Sequence, residues 1–390
     1  MMEFDFDTPV DRRNTASMKW QKYAGKDIIP LWVADMDFHS PPAVIEALHR
    51  RVDHGVFGYT LVPEELNAVV VDTLQSRYNW RVSPEWVVWL PGLVTGLNVA
   101  CRSVGDDHDE VLTAVPVYPP FLKAPGNSRR HLIKVPLAED HGRWTFDFER
   151  LEAAVTPRTR LFMLCNPHNP VGRLFTREEL TRLAALCEKH NMIICSDEIH
   201  CDLILEPGKR HVPTATLDPA VAQRTITMMA PSKTFNLPGL GCSFAVIPSD
   251  DLRQRFLAAK AGIVPMINAL GFTAALAAYA DCDAWVAALL TYLRQNRDAV
   301  AEAVAGMPDL SMAPVEATYL AWIDVRQAGI DQPASFFESA GVGLQEGAEF
   351  DGRGFVRLNF GCCRSLLVTA LQRMAAAMEK WKATRVRNDE

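Results

Sequence analysis

From about residue 85 to residue 247 the chain alternates short apolar runs with stretches of helical periodicity, which leaves few folds open to it. The runs are Trp86–Leu90, Val111–Val117, His131–Val135, Arg160–Leu164, Met192–Ser196, Thr225–Ala230 and Ser243–Ile247. Several are continuously apolar, as expected of strands covered on both faces. Among the intervening stretches, Thr176–Lys189 opens with Thr176 and, three residues on, Glu179, the signature of a capping box. Strands alternating with helices predict an α/β fold with a mostly parallel, seven-stranded sheet and helices on both faces.

Beyond that sheet, an Ala-rich helix around Gly271–Ala280 and a long helical pattern at Trp285–Met307 lead away. Residues 308–390 read as a smaller unit with strands at Ala317–Asp324 and Gly354–Phe360 and a closing helix, Leu366–Trp381. The first 45 residues are rich in proline and aromatics, lack a strong period, and are expected to drape over other elements. The expected division is therefore an N-terminal segment (1–45) packing with the small domain, a large domain (46–283), and a small α+β C-terminal domain (284–390).

The net charge of −7 argues against a general basic field for nucleic acid. The one dense basic run, Lys380 to Arg387, is expected to be a solvated tail. The opening "MMEFDFDTPVDRR" has no apolar core of the secretory kind, and no run of 18 apolar residues predicts a membrane span. Nine cysteines without a C-x-x-C pair suit free thiols, and Cys165, Cys187, Cys195 and Cys242 sit in apolar runs as core residues. A cytoplasmic protein is expected.

In open parallel sheets, ligands bind beyond the carboxyl ends of the strands. The segments that follow the predicted strands are "PGLVTG" after Leu90, "YPP" after Val117, "CNPHNPVG" after Leu164, "DEIH" after Ser196 and "PSK" after Ala230. They deliver a turn at Gly92-Leu93-Val94, then Tyr118, Asn169, Asp197 with His200, and Ser232 with Lys233. One cofactor, pyridoxal 5′-phosphate (PLP), needs such a set. Its aldehyde takes a lysine amine, here Lys233. Its ring nitrogen needs a carboxylate to stay protonated, a task that suits Asp197. Asn169 can donate to the phenolic oxygen, Tyr118 can stack on the ring, and the free N–H groups opening a helix at Gly92–Val94 can hold the phosphate.

Each residue also has an ordinary reading. A lysine after a strand is commonly a surface residue, "NPHNPVG" is common turn chemistry, Asp197 could cap a helix, and His200 could be a satisfied core histidine. "PGLVTG" is not a G-x-G-x-x-G phosphate motif. Their order, every one at a strand end, favours the joint reading.

"NPHNPVG", "SDEIH" and "SKTFNLPGLG" together resemble the fold-type I PLP enzymes of the class I/II aminotransferase superfamily. "PLWVADMDF", "FGYT" and "VRLNFGC" narrow the resemblance to the PatB/MalY-type cystathionine β-lyases, over essentially the whole chain. The resemblance implies Lys233 as the Schiff-base lysine and Asp197 as the pyridinium partner. It implies Asn169 as the phenolate donor, Tyr118 as the stacking ring and Gly92–Val94 as the phosphate cradle. Arg357 becomes the clamp for the substrate carboxylate, and Ala34 lies near the substrate. Tyr59 is implied to reach the phosphate of a neighbouring subunit, making a homodimer with composite sites. His200 stands where aminotransferases often carry tyrosine. Two departures stand out: Gly241 replaces a phosphate-binding arginine found in many aminotransferases, and Cys363, next to Cys362, stands where proline is expected.

The implied reaction is α,β-elimination from L-cystathionine, L-cystine or a cysteine S-conjugate, releasing thiol, pyruvate and ammonia. Amino transfer to a keto acid uses the same residues and remains the alternative. A non-catalytic regulatory protein of the same fold is a third reading, disfavoured by the intact lysine, aspartate and arginine. No metal is expected.

Overall fold

The computed structural model describes residues 4–140 and 142–389. Its central sheet consists of β1 (Val87–Leu90), β2 (Glu110–Val115), β3 (His131–Pro136), β4 (Thr159–Cys165), β5 (Ile193–Asp197), β6 (Thr225–Met229) and β7 (Ser243–Val246). The spatial order is β1-β7-β6-β5-β4-β2-β3. All seven predicted strands are present, with ends shifted by one or two residues. Strands β6, β5, β4, β2 and β3 run parallel, and β7 is antiparallel to both of its neighbours. That reversal has a local cause. Parallel neighbours need a crossover helix between them, and the connection from β6 to β7 carries only the one-turn helix Pro231–Thr234 and a short 3₁₀ turn. Strands β2 and β6 are buried throughout, whereas β3, at the sheet edge, exposes His131 and Lys134, as an edge strand must to avoid pairing with another chain.

The main helices are α1 (Pro42–Asp53), α2 (Glu64–Tyr78), α3 (Leu93–Ser103), α4 (Arg177–Lys189), α5 (Ala269–Asp281), α6 (Asp283–Ala305) and α7 (Arg364–Asp389). The capping box of α4 is formed: Thr176 Oγ1 accepts from the Glu179 N–H at 3.2 Å, and the Glu179 carboxylate accepts from the Thr176 N–H at 2.7 Å. Helix α5 packs against α1 and α2. Its small residues let backbones approach, and at Gly271 a Cβ would stand 2.6 Å from the Leu240 carbonyl oxygen. Among the described residues no single helix is long and apolar enough to cross a membrane.

A second, antiparallel sheet holds β8 (Ser311–Met312), β9 (Leu320–Asp324), β10 (Gln345–Glu346) and β11 (Phe355–Asn359) in the order β8-β9-β11-β10. Strand β9 starts three residues later than the apolar pattern predicts. Ala317 bridges to Ile204, and Thr318 takes φ +74 with its N–H on the Leu203 carbonyl. This stretch is tied to the loop after β5 before β9 begins.

The N-terminal segment does more than drape. Ile29–Pro30 pairs with Val342–Gly343. Asp37 then receives Lys19 Nζ and Arg12 Nη1, both at 2.7 Å, and Trp20 Nε1 at 2.9 Å. Lys19 and Asp37 are both buried, so this pair serves geometry more than net stability. Asn359 donates to the carbonyls of Val33 and Asp35, and Asn236 donates to those of Met36 and Phe38. Residues 32–38 are thus stitched to both sheets. Residues 1–3 of this segment, and the side chains of residues 386–390 in the basic tail, lie outside the described residues.

Candidate active site

A cavity of about 280 Å³ opens at the carboxyl ends of the large sheet. Every strand end that carries a candidate residue contributes to it. Gly92, Leu93 and Val94 follow β1, Tyr118 follows β2, Asn169 follows β4, Asp197 and His200 end and follow β5, and Ser232 and Lys233 follow β6. Ala34, from the N-terminal segment, closes one side.

Lys233 is half-buried on the helical turn Pro231–Thr234. Its Nζ donates to the Ala34 carbonyl, which also accepts from the Tyr319 hydroxyl at 2.9 Å. Burial pushes the amine down to about 8; Asp35 and Asp197 oppose that push and Arg357 reinforces it. Asp197 is buried, and among the described residues its carboxylate accepts one hydrogen bond, from the Ile199 N–H at 3.1 Å. Burial raises its carboxyl to about 7, and Glu198 adds to the rise. A carboxylate in such a place, with no ion pair to any described residue, is suited to a cationic N–H partner that enters with a ligand.

Arg357 is buried in β11. Its Nη1 donates to Asn169 Oδ1 at 2.9 Å, and its Nη2 donates to the Trp32 carbonyl at 2.9 Å and to Gln345 Oε1. The guanidinium has no acceptor, so the Asn169 oxygen must face it and the amide NH₂ is left to point elsewhere. Arg357 itself does not line the cavity; it reaches the site through Asn169, which does. His200 is buried with Nδ1 unpartnered, and its ring meets Tyr319 edge-on at 5.9 Å. Burial, reinforced by Lys233 and Arg357, holds its imidazole well below the usual range, so the ring is neutral. Tyr118 caps the helix Pro119–Asn127, and burial pushes its phenol up.

Helix α3 begins at the cavity, so its first N–H groups have no partner within the helix. Gly92 is its N-cap, and a Cβ there would meet no protein atom within 4 Å. A phosphate fits such a start. Gly241, in the same wall, has φ +59, and a Cβ would lie 3.0 Å from the Pro91 carbonyl oxygen. An arginine at this position would be strained, which gives the departure at Gly241 a backbone reason.

Tyr59 is not brought to the cavity of its own chain. It is fully exposed (102%) and borders a separate hollow with Phe57, Met266 and Ile267. Cys362 and Cys363 do not line the cavity either. Both are buried, and the Cys362 carbonyl accepts from Asn296 Nδ2 at 2.8 Å. All nine cysteines are free and buried, so the assignment of Cys165, Cys187, Cys195 and Cys242 to the core holds; Cys165 and Cys242 also touch the cavity. Tyr319, whose hydroxyl shares an acceptor with Lys233, was not visible in the sequence. It sits inside an apolar run read as strand, and nothing in the run marks the bend at Thr318. Among the described residues no cluster of side chains could hold a metal ion.

The residues fit PLP in the chemistry of the donor set: an amine beside an unpaired buried carboxylate, an amide with free N–H donors, and an open helix start. Comparison with known proteins agrees with this fit. Residues 26–374 match the family described as aminotransferase class I and II. Cystathionine β-lyase PatB of Bacillus subtilis is 38% identical, over 96% of this chain and 100% of its own. Among solved structures, OvoB superposes with a TM-score of 0.94 at 46% identity, covering 96% of this chain and 99% of that one. Cystalysin from Treponema denticola, which contains a pyridoxal 5′-phosphate cofactor, superposes with a TM-score of 0.93 at 34% identity, covering 97% and 100%.

Proposed function

The chain belongs to the class I and II aminotransferase family, and from that premise we infer that it is a PLP-dependent carbon–sulfur lyase. The observation that carries the reaction type is the full-length likeness to a cystathionine β-lyase. The substrates are L-amino acids with a sulfur leaving group on Cβ (L-cystathionine, L-cystine or a cysteine S-conjugate), and the products are thiol, pyruvate and ammonia.

When bound, PLP supplies an aldehyde that condenses with amines and a protonated ring that withdraws electrons from Cα. The protein's residues do the rest. Lys233 would be the covalent anchor and the base at the Cα proton; burial lowers its amine to about 8, so that more of it is neutral near working pH than for an ordinary lysine, as suits a base. Asp197 would keep the ring nitrogen protonated, because a cationic N–H would compensate its buried charge. Asn169 would donate to the phenolic oxygen, with its amide oxygen held toward Arg357. Arg357 binds the substrate carboxylate. Gly92, Leu93 and Val94 would present N–H groups to the phosphate, with Ser232 lining the same cavity. Tyr118 would stack on the ring, His200 lines the same cavity, and Ala34 would stand near the substrate.

The active unit proposed is a homodimer in which Tyr59 reaches the partner's phosphate. Supporting this are its full exposure and the exposed Val56, Phe57, Leu61, Ile263 and Met266 on the same chain. Residues 46–283 and 284–390 are proposed as the large and small domains, on the grounds that each holds its own sheet. Nine buried free thiols suit the cytoplasm.

The deciding experiment incubates the purified protein with L-cystathionine and no keto acid. Pyruvate and thiol are expected over many turnovers. A single turnover that ends with pyridoxamine phosphate on the protein would instead establish an aminotransferase.

A further inference from the structure

Arg357 sits in the structure with its fork already in use. A guanidinium grips a carboxylate bidentately through two adjacent N–H groups, and both of its forks include Nη2. In this chain Nη2 donates to the Trp32 carbonyl and to Gln345 Oε1, so neither fork is free. The remaining donors are weaker offers. Nη1 already holds Asn169, and Nε is buried with no partner among the described residues. The plane is fixed from below by Phe350, whose ring centre lies 4.7 Å from Cζ.

The two acceptors on Nη2 differ in how readily they can leave. The Trp32 carbonyl is backbone, next to a segment tied down at Leu31, Val33 and Asp35. Gln345 is a half-buried side chain on β10, directly opposite Arg357 in the sheet register. Its amide is oriented without ambiguity, since Oε1 faces a pure donor and Nε2 donates to Glu349 Oε2 at 3.0 Å, a pure acceptor. Glu349 is exposed, so a Gln345 amide that swings away from Arg357 keeps a partner at the surface.

We propose that Gln345 is an internal stand-in for the substrate carboxylate: its amide oxygen holds the Arg357 fork and is displaced when an α-carboxylate binds. This rests on the reading of Arg357 as the carboxylate clamp. Gln345 then sets substrate affinity as a competitor, in contrast to a residue that positions the clamp, and the two roles give opposite signs on mutation.

The test uses 3-(methylsulfanyl)propanoate, a thioether carboxylate without an amine, so that binding reports the clamp and not reaction with the cofactor. Its affinity for the holoenzyme is measured by titration calorimetry. Gln345→Ala is expected to tighten binding about threefold to tenfold, by removing a neutral amide acceptor that the ligand must displace. Gln345→Glu places a charged competitor on the fork and is expected to weaken binding by about tenfold or more. KM for L-cystine should move in the same directions, with kcat changed by about twofold or less. Opposite signs from two substitutions at one position cannot both come from misfolding. Weaker or unchanged binding by Gln345→Ala would overturn the proposal and make Gln345 a positioning residue. Arg357→Leu should abolish binding of this ligand. If binding survives there, the clamp reading itself fails, and the proposal with it.

Discussion

On the wall formed by the strand ends of the large sheet, Lys233, Asp197 and His200 are polar groups with few partners. The amine is pushed down, the carboxyl up, and the imidazole is left with an unpartnered nitrogen. On a second wall, set behind Ala34 and Asn169 and built from β11 and the N-terminal segment, the polar groups are bound several times over. Arg357 makes three hydrogen bonds, Asn359 holds two backbone carbonyls, and the Ala34 carbonyl accepts from two side chains. An unmet buried charge costs free energy that an incoming partner recovers, so the first wall is arranged to be completed by a ligand. A saturated group has its lost hydration replaced by protein partners, which it must exchange in order to bind, so the second wall gains selectivity and geometry instead.

The largest effect that would sharpen this contrast is at the anchor. Lys233→Ala is expected to lose nearly all turnover, because anchor and base go together, while still binding cofactor non-covalently. Borohydride treatment of the unaltered protein should fix the cofactor on the peptide containing Ser232-Lys233-Thr234; an adduct on another lysine would refute the assignment. Next in size is the saturated wall. Arg357→Leu removes a charge-assisted carboxylate contact of about 1.5–3 kcal/mol, hence about one to two powers of ten in kcat/KM, read from pyruvate release.

A smaller effect tests the unmet wall without any chemistry. The Asp197 carboxyl is raised from 3.8 to about 7 in the folded chain. The folded state therefore binds the proton more tightly than the unfolded one, and stability falls as pH rises from about 4 to about 7, with the full penalty present above that. In cofactor-stripped protein, Asp197→Asn should raise Tm at pH 8 by about 2–4 °C and by less at pH 5. An equal gain at both values would mean that the carboxylate is compensated and the contrast between the walls is wrong. Adding cofactor should reverse the sign, since asparagine cannot balance a pyridinium.

The smallest effect tests whether Tyr59 is supplied to the site from a second chain. Tyr59→Phe deletes one hydroxyl, and loss of one hydrogen bond to phosphate of about 1.5 kcal/mol should weaken cofactor retention about tenfold. Should that variant also be inactive, co-refolding it with Lys233→Ala would return about half of a normal dimer's activity if sites are shared, as one site of each heterodimer is then unaltered. Heterodimers without recovery would put Tyr59 in its own chain's site.

The strand-end residues were readable because each belongs to a local pattern. An apolar run predicts a strand, the strand predicts where its carboxyl end lies, and Asn169, Asp197 and Lys233 follow within a few residues. Family resemblance added Arg357, Ala34 and Tyr59, which no local pattern marks. The order of the sheet and the reversal of β7 were not readable in detail, since strand neighbours are chosen by packing across the whole domain. Helices α1 and α2 were also missed, although α1 buries only a thin stripe at Val44 and Ala47.

What the sequence by itself determined is therefore the set of reactive groups and the strand ends that carry them, because both depend on periodicity and turn chemistry over a few residues. Only the tertiary structure decided their states and partners. Arg357 meets Asn169 across 188 residues, Lys233 meets Ala34 across 199, and Tyr319 meets the same carbonyl across 285. Burial, which moves the proton affinities of Lys233 and Asp197 toward each other, depends on every element packed around the cavity. Desolvation and long-range hydrogen bonds are properties of the closed fold, and no window of sequence contains them.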